Sequence, residues 1–267
     1  MLFICMRTKI LNELKTAWAG RTCLCFDTLE STNDYAREVS KRESVHGTLI
    51  VADTQSAGKG RRGRIWQSPK GSTISMSLCL EPKLPAERVA GLTLVMALAA
   101  AEAVWELTKI KPGIKWPNDI VLNSKKICGI LTEMYFVKNH YVVVIGTGVN
   151  VNTDHFPEEI RKTAGSLKTE TGQEYSREKL IALILKYFEN YYEQYEQNMD
   201  LSLLKDRYEE LLANKGREVR VLDPQSPYTG VAKGITDDGS LVVICEDGSE
   251  KEVNSGEVSV RGLYGYV

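Results

Sequence analysis

The segment Gln55-Ser56-Ala57-Gly58-Lys59-Gly60-Arg61-Arg62-Gly63-Arg64-Ile65-Trp66 concentrates positive charge on a backbone that can bend. Its glycines let consecutive N–H groups point at one ligand. Four basic side chains between positions 59 and 64 supply countercharge for several phosphate oxygens. No acidic residue occurs from Thr54 to Leu80, so this field is not neutralised locally. Gly60 follows Gly58-Lys59 where a Walker A loop has Ser or Thr, so that motif is excluded. Taken by itself, the stretch fits a phosphate cradle, a solvated basic loop or a nonspecific nucleic-acid patch.

Three further stretches carry polar chemistry. Lys115-Trp116-Pro117-Asn118-Asp119 reads as a β-turn, with Pro117 setting φ and Asn118 or Asp119 turning the chain. Lys126 abuts an apolar strand, where it offers a point charge to a carboxylate or phosphate. Gly146-Thr147-Gly148-Val149-Asn150-Val151-Asn152 ends a strand; its glycines permit close ligand approach, and Asn150 or Asn152 can bond a hydroxyl or phosphate. Glu30-Ser31-Thr32-Asn33-Asp34 has the composition of a helix N-cap, and equally of a binding site for a small polar head group.

Positioning these groups requires a mixture of strands and helices. The pattern predicts a short amphipathic helix over Thr8–Ala17 and a strand over Thr22–Asp27. A helix capped by Ser31 or Thr32 then runs to about Lys41, followed by a strand over Thr48–Asp53. Ser72–Leu80 alternates apolar and small residues, as a half-buried strand does. Pro85 opens a long Ala- and Leu-rich helix to about Leu107. Strands follow at Ile114–Trp116, Ile120–Leu122, Ile127–Met134 and Tyr141–Ile145, then helices at Arg177–Gln197 and Leu201–Leu212. After Asn214 and Gly216 the texture changes to short strands broken by Asp-Pro, Asp-Asp-Gly and Asp-Gly turns. The expected architecture is α+β: a mixed or antiparallel sheet packed with helices over residues 1–214, then a small β-barrel-like module over 215–267.

Composition narrows the class. The 267 residues are 43% hydrophobic and 26% charged with a formal net charge of -1, which excludes disorder, collagen, coiled coil and a histone-like coat. The uncharged stretch Val89–Ala101 is shorter than the roughly 18–20 residues a bilayer span needs, so no membrane association is expected. Residues 1–7 lack the basic n-region of a signal peptide. Six cysteines and three histidines fall in no metal-ligand spacing, so no protein-held metal is expected. Reduced cysteines in a cytoplasmic protein are the expectation.

The order of these motifs resembles the biotin–protein ligase family: Ser-Thr-Asn, Gly-Lys-Gly-Arg-Arg-Gly-Arg-x-Trp, Lys-Trp-Pro-Asn-Asp with Lys126, then Gly-x-Gly-x-Asn. Ser255-Gly256-Glu257-Val258-Ser259-Val260-Arg261 also looks like that family's closing SH3-like β module. The resemblance spans Leu11 to Val267. It implies an enzyme that joins biotin to ATP as biotinyl-5′-AMP, with Mg²⁺, and then transfers biotin to a lysine of a carrier protein. By the same resemblance Ser31, Thr32, Asn33, Gln55, Lys59, Gly60, Arg61 and Lys126 bind biotin. Arg61, Arg64, Trp66, Lys115, Asn118, Lys126, Asn150 and Arg261 serve ATP or the adenylate, and Arg61, Lys126 and Asp119 carry the chemistry. The implied partners are the biotin carboxyl carrier domains of acetyl-CoA carboxylase and of pyruvate carboxylase, and a second copy of the chain in a homodimer.

Some family members carry an N-terminal winged helix and repress biotin genes; Thr8–Gly20 reads as the linker that would follow it. The monofunctional type, with no specific nucleic-acid partner, is therefore expected. Lys59 departs from the family's usual Gly-Arg-Gly-Arg and keeps the charge without the planar fork, so a leakier adenylate is expected. Lipoate and octanoate ligases share the fold and acyl-adenylate chemistry but lack Lys-Trp-Pro-Asn-Asp. A biotin-responsive nucleic-acid-binding regulator is the reading outside catalysis.

Overall fold

The computed structural model describes residues 2–223, 226–254, 259–262 and 266–267, with backbone alone at 2–5, 259 and 261. Its first part is built on β1 (Cys23–Leu29), β2 (Leu49–Gln55), β3 (Thr73–Leu80), β4 (Gly113–Lys115), β5 (Asp119–Leu122), β6 (Lys125–Val137) and β7 (His140–Asn150). They form one seven-stranded sheet in the order β1-β2-β3-β7-β6-β5-β4. β1 and β2 are parallel, and every other pair is antiparallel. The mixed sheet expected from sequence is therefore present.

Helices cover both faces. α1 (Leu2–Glu13), α3 (Gly91–Thr108) and α5 (Arg177–Asn198) enclose the larger core, while α2 (Thr32–Ser40) closes a smaller one of Ala36, Val45, Ile50, Cys79, Val142 and Val144. α4 (Leu167–Thr171) and α6 (Lys205–Leu211) complete the set. α1 starts well before the predicted Thr8 and ends sooner. Met6, Ile10 and Leu14, spaced four apart, are all buried and carry the apolar stripe toward the N-terminus. Pro85 opens a 3₁₀ turn over Ala86–Arg88, not the α-helix itself, which begins at Gly91. The span Ala86–Thr108 reaches a mean hydropathy of 1.5 and is long enough to cross a bilayer, but 78% of its apolar window is buried within the fold. It is a core helix packed between sheet and α5.

β3 differs from expectation in a way that matters for the site. All eight residues are buried, so it is not half-exposed. Ile74, Met76, Leu78 and Leu80 meet the larger core. The small-residue face is covered too: Cys79 lies in the core beneath α2, and Ser75 and Ser77 are sealed within the protein. The five described cysteines are free, and burial pushes the Cys79 and Cys128 thiols up to about 12.

The C-terminal part is a separate five-stranded antiparallel sheet of β8 (Glu218–Leu222), β9 (Tyr228–Ile235), β10 (Leu241–Cys245), β11 (Glu250–Val253) and β12 (Ser259–Gly262), ordered β11-β10-β9-β8-β12. The predicted Asp-Asp-Gly turn joins β9 to β10 and docks on the first sheet's helices. Gly239 in that turn has φ +87°, and an added Cβ would lie 2.8 Å from Leu201 and 2.9 Å from Leu94. Its carbonyl accepts the buried Trp116 indole N–H at 3.0 Å, and Asp237 O accepts the Leu201 N–H at 2.7 Å. Asn214 Oδ1 accepts the Trp116 backbone N–H at 2.8 Å, fixing the entry to the Trp116–Asn118 turn.

Candidate active site

The middle of the sheet carries a dent made of missing side chains. Ser77 pairs with Gly146, Ser75 with Gly148, and Gly148 with Gly129 across β3, β7 and β6. Large residues at those alternating positions would fill the space. The gap leaves about 490 Å³ of space that is partly open to solvent. Its lining includes Ser31, Thr32, Asn33, Gln55, Lys59, Gly60, Arg61, Trp66, Asn118 and Lys126.

One end of this cavity is neutral and already hydrogen-bonded. Ser31 caps α2 through its side chain, accepting the Asp34 N–H at 3.3 Å, so the cap and the lining are one structure. Gln55 Oε1 accepts from Thr32 N at 2.8 Å and Thr32 Oγ1 at 3.1 Å. Ser77 Oγ lies 2.7 Å from Thr32 Oγ1 and 2.6 Å from Asn33 Oδ1, and Asn33 Nδ2 donates to Glu133 Oε2 at 2.6 Å. A Cβ on Gly146 would sit 2.4 Å from Asn33 Oδ1. On the opposite wall the Trp66 ring lies over Gly148, where a Cβ would come within 2.3 Å of it. The indole N–H of Trp66 and the Ser75 hydroxyl are buried without a protein partner among the described residues, which marks them for a ligand's polar atoms.

The other end is cationic. A second cavity of about 770 Å³ shares Gly60, Arg61, Trp66, Asn118 and Lys126 with the first and adds Arg62, Arg64, Lys115, Asp119 and Tyr266. Among the described residues, five cationic side chains and the carboxylate of Asp119 line it. Lys126 Nζ pairs with Asp119 Oδ1 at 2.6 Å, and Arg61 Nη1 donates to Asn118 Oδ1 at 2.8 Å. Asn118 in turn donates to Asp119 Oδ1 and Ile130 O, each at 3.1 Å. Burial pulls the Arg61 guanidinium down from its ordinary value, and the charge of Asp119 opposes that shift. The Trp116–Asn118 turn, with a cis Trp116–Pro117 bond, therefore presents side chains as well as reversing the chain.

The candidates from sequence do not all meet at one spot. Lys59 reaches out to Asp34 at 2.7 Å, tying the basic loop to the first turn of α2. Lys115 is buried, its ammonium 3.6 Å from the centre of the Tyr266 ring. Asn150 lines a third, wider cavity that also takes in Arg64, Trp66, Lys126 and Tyr266, and it donates to Gly165 O at 3.0 Å. Asn152, its alternative, is spent on Tyr175 O at 2.9 Å. Arg261 lies in β12, but its side chain, with the run 255–258 of the closing motif, is outside the described residues. Sequence reasoning missed Ser77, Glu133 and Tyr266. For Ser77 the alternation of β3 held the clue, since a row of serines on a buried face needs partners.

Comparison with known proteins agrees with this geometry. Residues 25–150 match the biotin/lipoate A/B protein ligase family, and residues 216–261 match the biotin protein ligase C terminal domain. The bifunctional ligase/repressor BirA of Bacillus subtilis is 37% identical over 247 residues, covering 91% of this chain and 76% of that protein. The biotin–[acetyl-CoA-carboxylase] ligase of Mycobacterium tuberculosis is 30% identical over 236 residues, 85% of each chain. Among solved structures, biotin protein ligase from Aquifex aeolicus in complex with biotin and ATP superposes with a TM-score of 0.80 at 32% identity, over 91% of this chain and 99% of that one. With both of its parts matched and a small neutral pocket opening into a cationic one, the chain belongs to the biotin protein ligase family and is a ligase.

Proposed function

We propose that this ligase makes biotinyl-5′-AMP from biotin and ATP and then transfers biotin to a lysine of a biotin carboxyl carrier domain. The observation that carries this reading is the shared throat. Arg61 and Lys126 belong to the lining of both the neutral and the cationic pocket, where a carboxylate from one side would meet a phosphate from the other. In the first step a biotin carboxylate oxygen attacks the α-phosphorus and pyrophosphate departs. The carboxylate is ionised at neutral pH, so this step needs no base. It needs neutralisation of two approaching anions, which Arg61 and Lys126 supply. In the second step the carrier amine attacks the acyl carbon, the bond to AMP breaks, and the amine loses a proton. Asp119, at the same throat, orients that amine and accepts the proton.

On this reading Ser31, Thr32, Asn33 and Gln55 hold the uncharged ring end of biotin, and Trp66, Arg64, Lys115, Asn118 and Asn150 surround the nucleotide. Residues 1–214 form the catalytic unit and 215–267 the module that completes it. The lining does not fit a protein-held divalent cation. No cluster of three His, Cys, Asp or Glu occurs among the described residues, and both oxygens of Asp119 already accept hydrogen bonds. Mg²⁺ enters with the triphosphate as part of the substrate. The acetyl-CoA carboxylase carrier is proposed because the Mycobacterium tuberculosis relative is named for it.

The test is biotin transfer to a purified carrier domain with ATP and Mg²⁺, followed by the carrier's mass. A biotin-sized gain that requires ATP is expected. Modification by lipoate or octanoate in place of biotin would overturn the reading.

A further inference from the structure

Beyond β12 the chain returns to the throat of the other sheet. Tyr266 lines the cationic cavity, its phenol O–H donates to Asp119 Oδ2 at 2.6 Å, and its ring lies 3.6 Å from the Lys115 ammonium. The opposite oxygen, Asp119 Oδ1, accepts from Lys126 Nζ at 2.6 Å and Asn118 Nδ2 at 3.1 Å. A carboxylate with donors on both oxygens is fixed in rotation as well as in position. The donors differ in what a ligand does to them. Lys126 lines all three cavities, so an anion in any of them competes with Asp119 for its charge. The phenol donates from a neutral group, so an anion draws on it less strongly than on the ammonium. Its ring is anchored separately by Lys115.

We propose that Tyr266 is a positioning residue for acyl transfer. When the adenylate draws Lys126 away, Tyr266 keeps hold of Oδ2 and leaves Oδ1 presented to the incoming lysine amine. The amine nitrogen forms its bond to the acyl carbon, the carbon–oxygen bond to AMP breaks with its electron pair leaving on the phosphate, and the amine proton goes to Asp119 Oδ1. This inference rests on the ligase reading and on the role given there to Asp119.

The experiment uses the full chain, unaltered and as Tyr266→Phe, Asp119→Asn and the double variant. Each is supplied with preformed biotinyl-AMP, and carrier modification is timed by mass; ATP–pyrophosphate exchange with biotin reports the first step separately. Tyr266→Phe keeps the ring over Lys115 and removes the O–H alone. Transfer at saturating carrier should slow about tenfold more than the exchange reaction does, as loss of one hydrogen bond to a charged group predicts, with the carrier KM unchanged. In the Asp119→Asn background the same change should cost nothing further, because Tyr266 acts through that carboxylate. Equal losses in both steps, additive losses in the double variant, or undiminished transfer would each overturn the assignment. If the unaltered protein moves no biotin from the adenylate, the ligase reading itself falls and takes this inference with it.

Discussion

The neutral pocket rests on β3, β6 and β7 in the middle of the sheet, whereas the cationic pocket hangs on the 58–66 loop, the Trp116–Asn118 turn and the chain's C-terminal end. In the first, the polar side chains around α2 are paired before any ligand arrives: Thr32, Asn33, Gln55, Ser77 and Glu133 form one connected network, while Trp66 and Ser75 keep a donor each for the ligand. In the second, five cationic side chains and one carboxylate, that of Asp119, line the space among the described residues, an excess of positive charge suited to an anion. The contrast follows from what each end has to recognise. An uncharged ring system offers only directional hydrogen bonds, which weaken steeply when misaligned, so its partners belong on a rigid, desolvated frame. A polyphosphate offers charge, which acts over several ångströms and tolerates mobile loops.

If that contrast is right, charge loss and shape loss should injure different steps. The largest effect is expected from Lys126→Ala, which removes a cation from the throat common to both pockets. Adenylate formation, followed as pyrophosphate release, should fall about 10²–10³-fold, in line with removal of one preorganised donor to developing charge. Lys126→Arg should recover little. The Lys126 ammonium already sits 2.9 Å from where a Cβ on Gly129 would lie, leaving small room for a planar fork. Next comes Gly146→Ala, which changes no charge. Its Cβ would stand 2.4 Å from Asn33 Oδ1 and force that side chain off Ser77 and Glu133. Biotin affinity by calorimetry should drop about 30-fold as those buried groups lose partners, with ATP affinity unmoved. Equal damage to both ligands would erase the distinction between the two ends.

Ionic strength sharpens the same comparison without a mutation. Raising salt from about 50 to 500 mM shrinks the Debye length to a few ångströms and should raise the ATP KM several-fold. The KM for biotin, whose binding end is neutral and buried, should move by less. A parallel rise in both would mean that the hydrogen-bonded network contributes little to biotin recognition.

Much of the frame could be read from the residues. The strands flanking each motif, the Ser31 cap and the change of texture after Gly216 all rest on local patterns, and local patterns carry through to the fold. The basic loop was legible because charge without nearby acid is a property of consecutive residues. What escaped is long-range. Tyr266 reaches Asp119 across 147 positions, and Asn33 reaches Glu133 across 100. A tyrosine in the last few residues, or a glutamate in a strand, gives no local sign of its partner. The burial of both faces of β3 escaped for the same reason, since alternation describes the strand and not what α2 and the pocket lay over it.

The smallest effect tests the one contact that links the two ends. Lys59 stands where the family usually has arginine, and here its ammonium reaches Asp34 in the first turn of α2, the helix whose N-terminus lines the neutral pocket. Both partners are well exposed, 48% and 39%, so solvent screens the pair and its worth is at most about 1 kcal/mol. Lys59→Ala should therefore loosen the loop only modestly. Overall transfer should fall by no more than about fivefold, and biotinyl-AMP escaping to solvent should rise by a similar factor, measured as hydrolysed adenylate per carrier modified. Lys59→Arg should bring escape back to within about twofold of the unaltered protein, because a guanidinium reaches the same carboxylate. A loss from Lys59→Ala as large as that from Lys126→Ala would break the comparison. Loop closure, and not the charge held at the throat, would then limit the cationic end, and order would matter there as much as it does on the sheet.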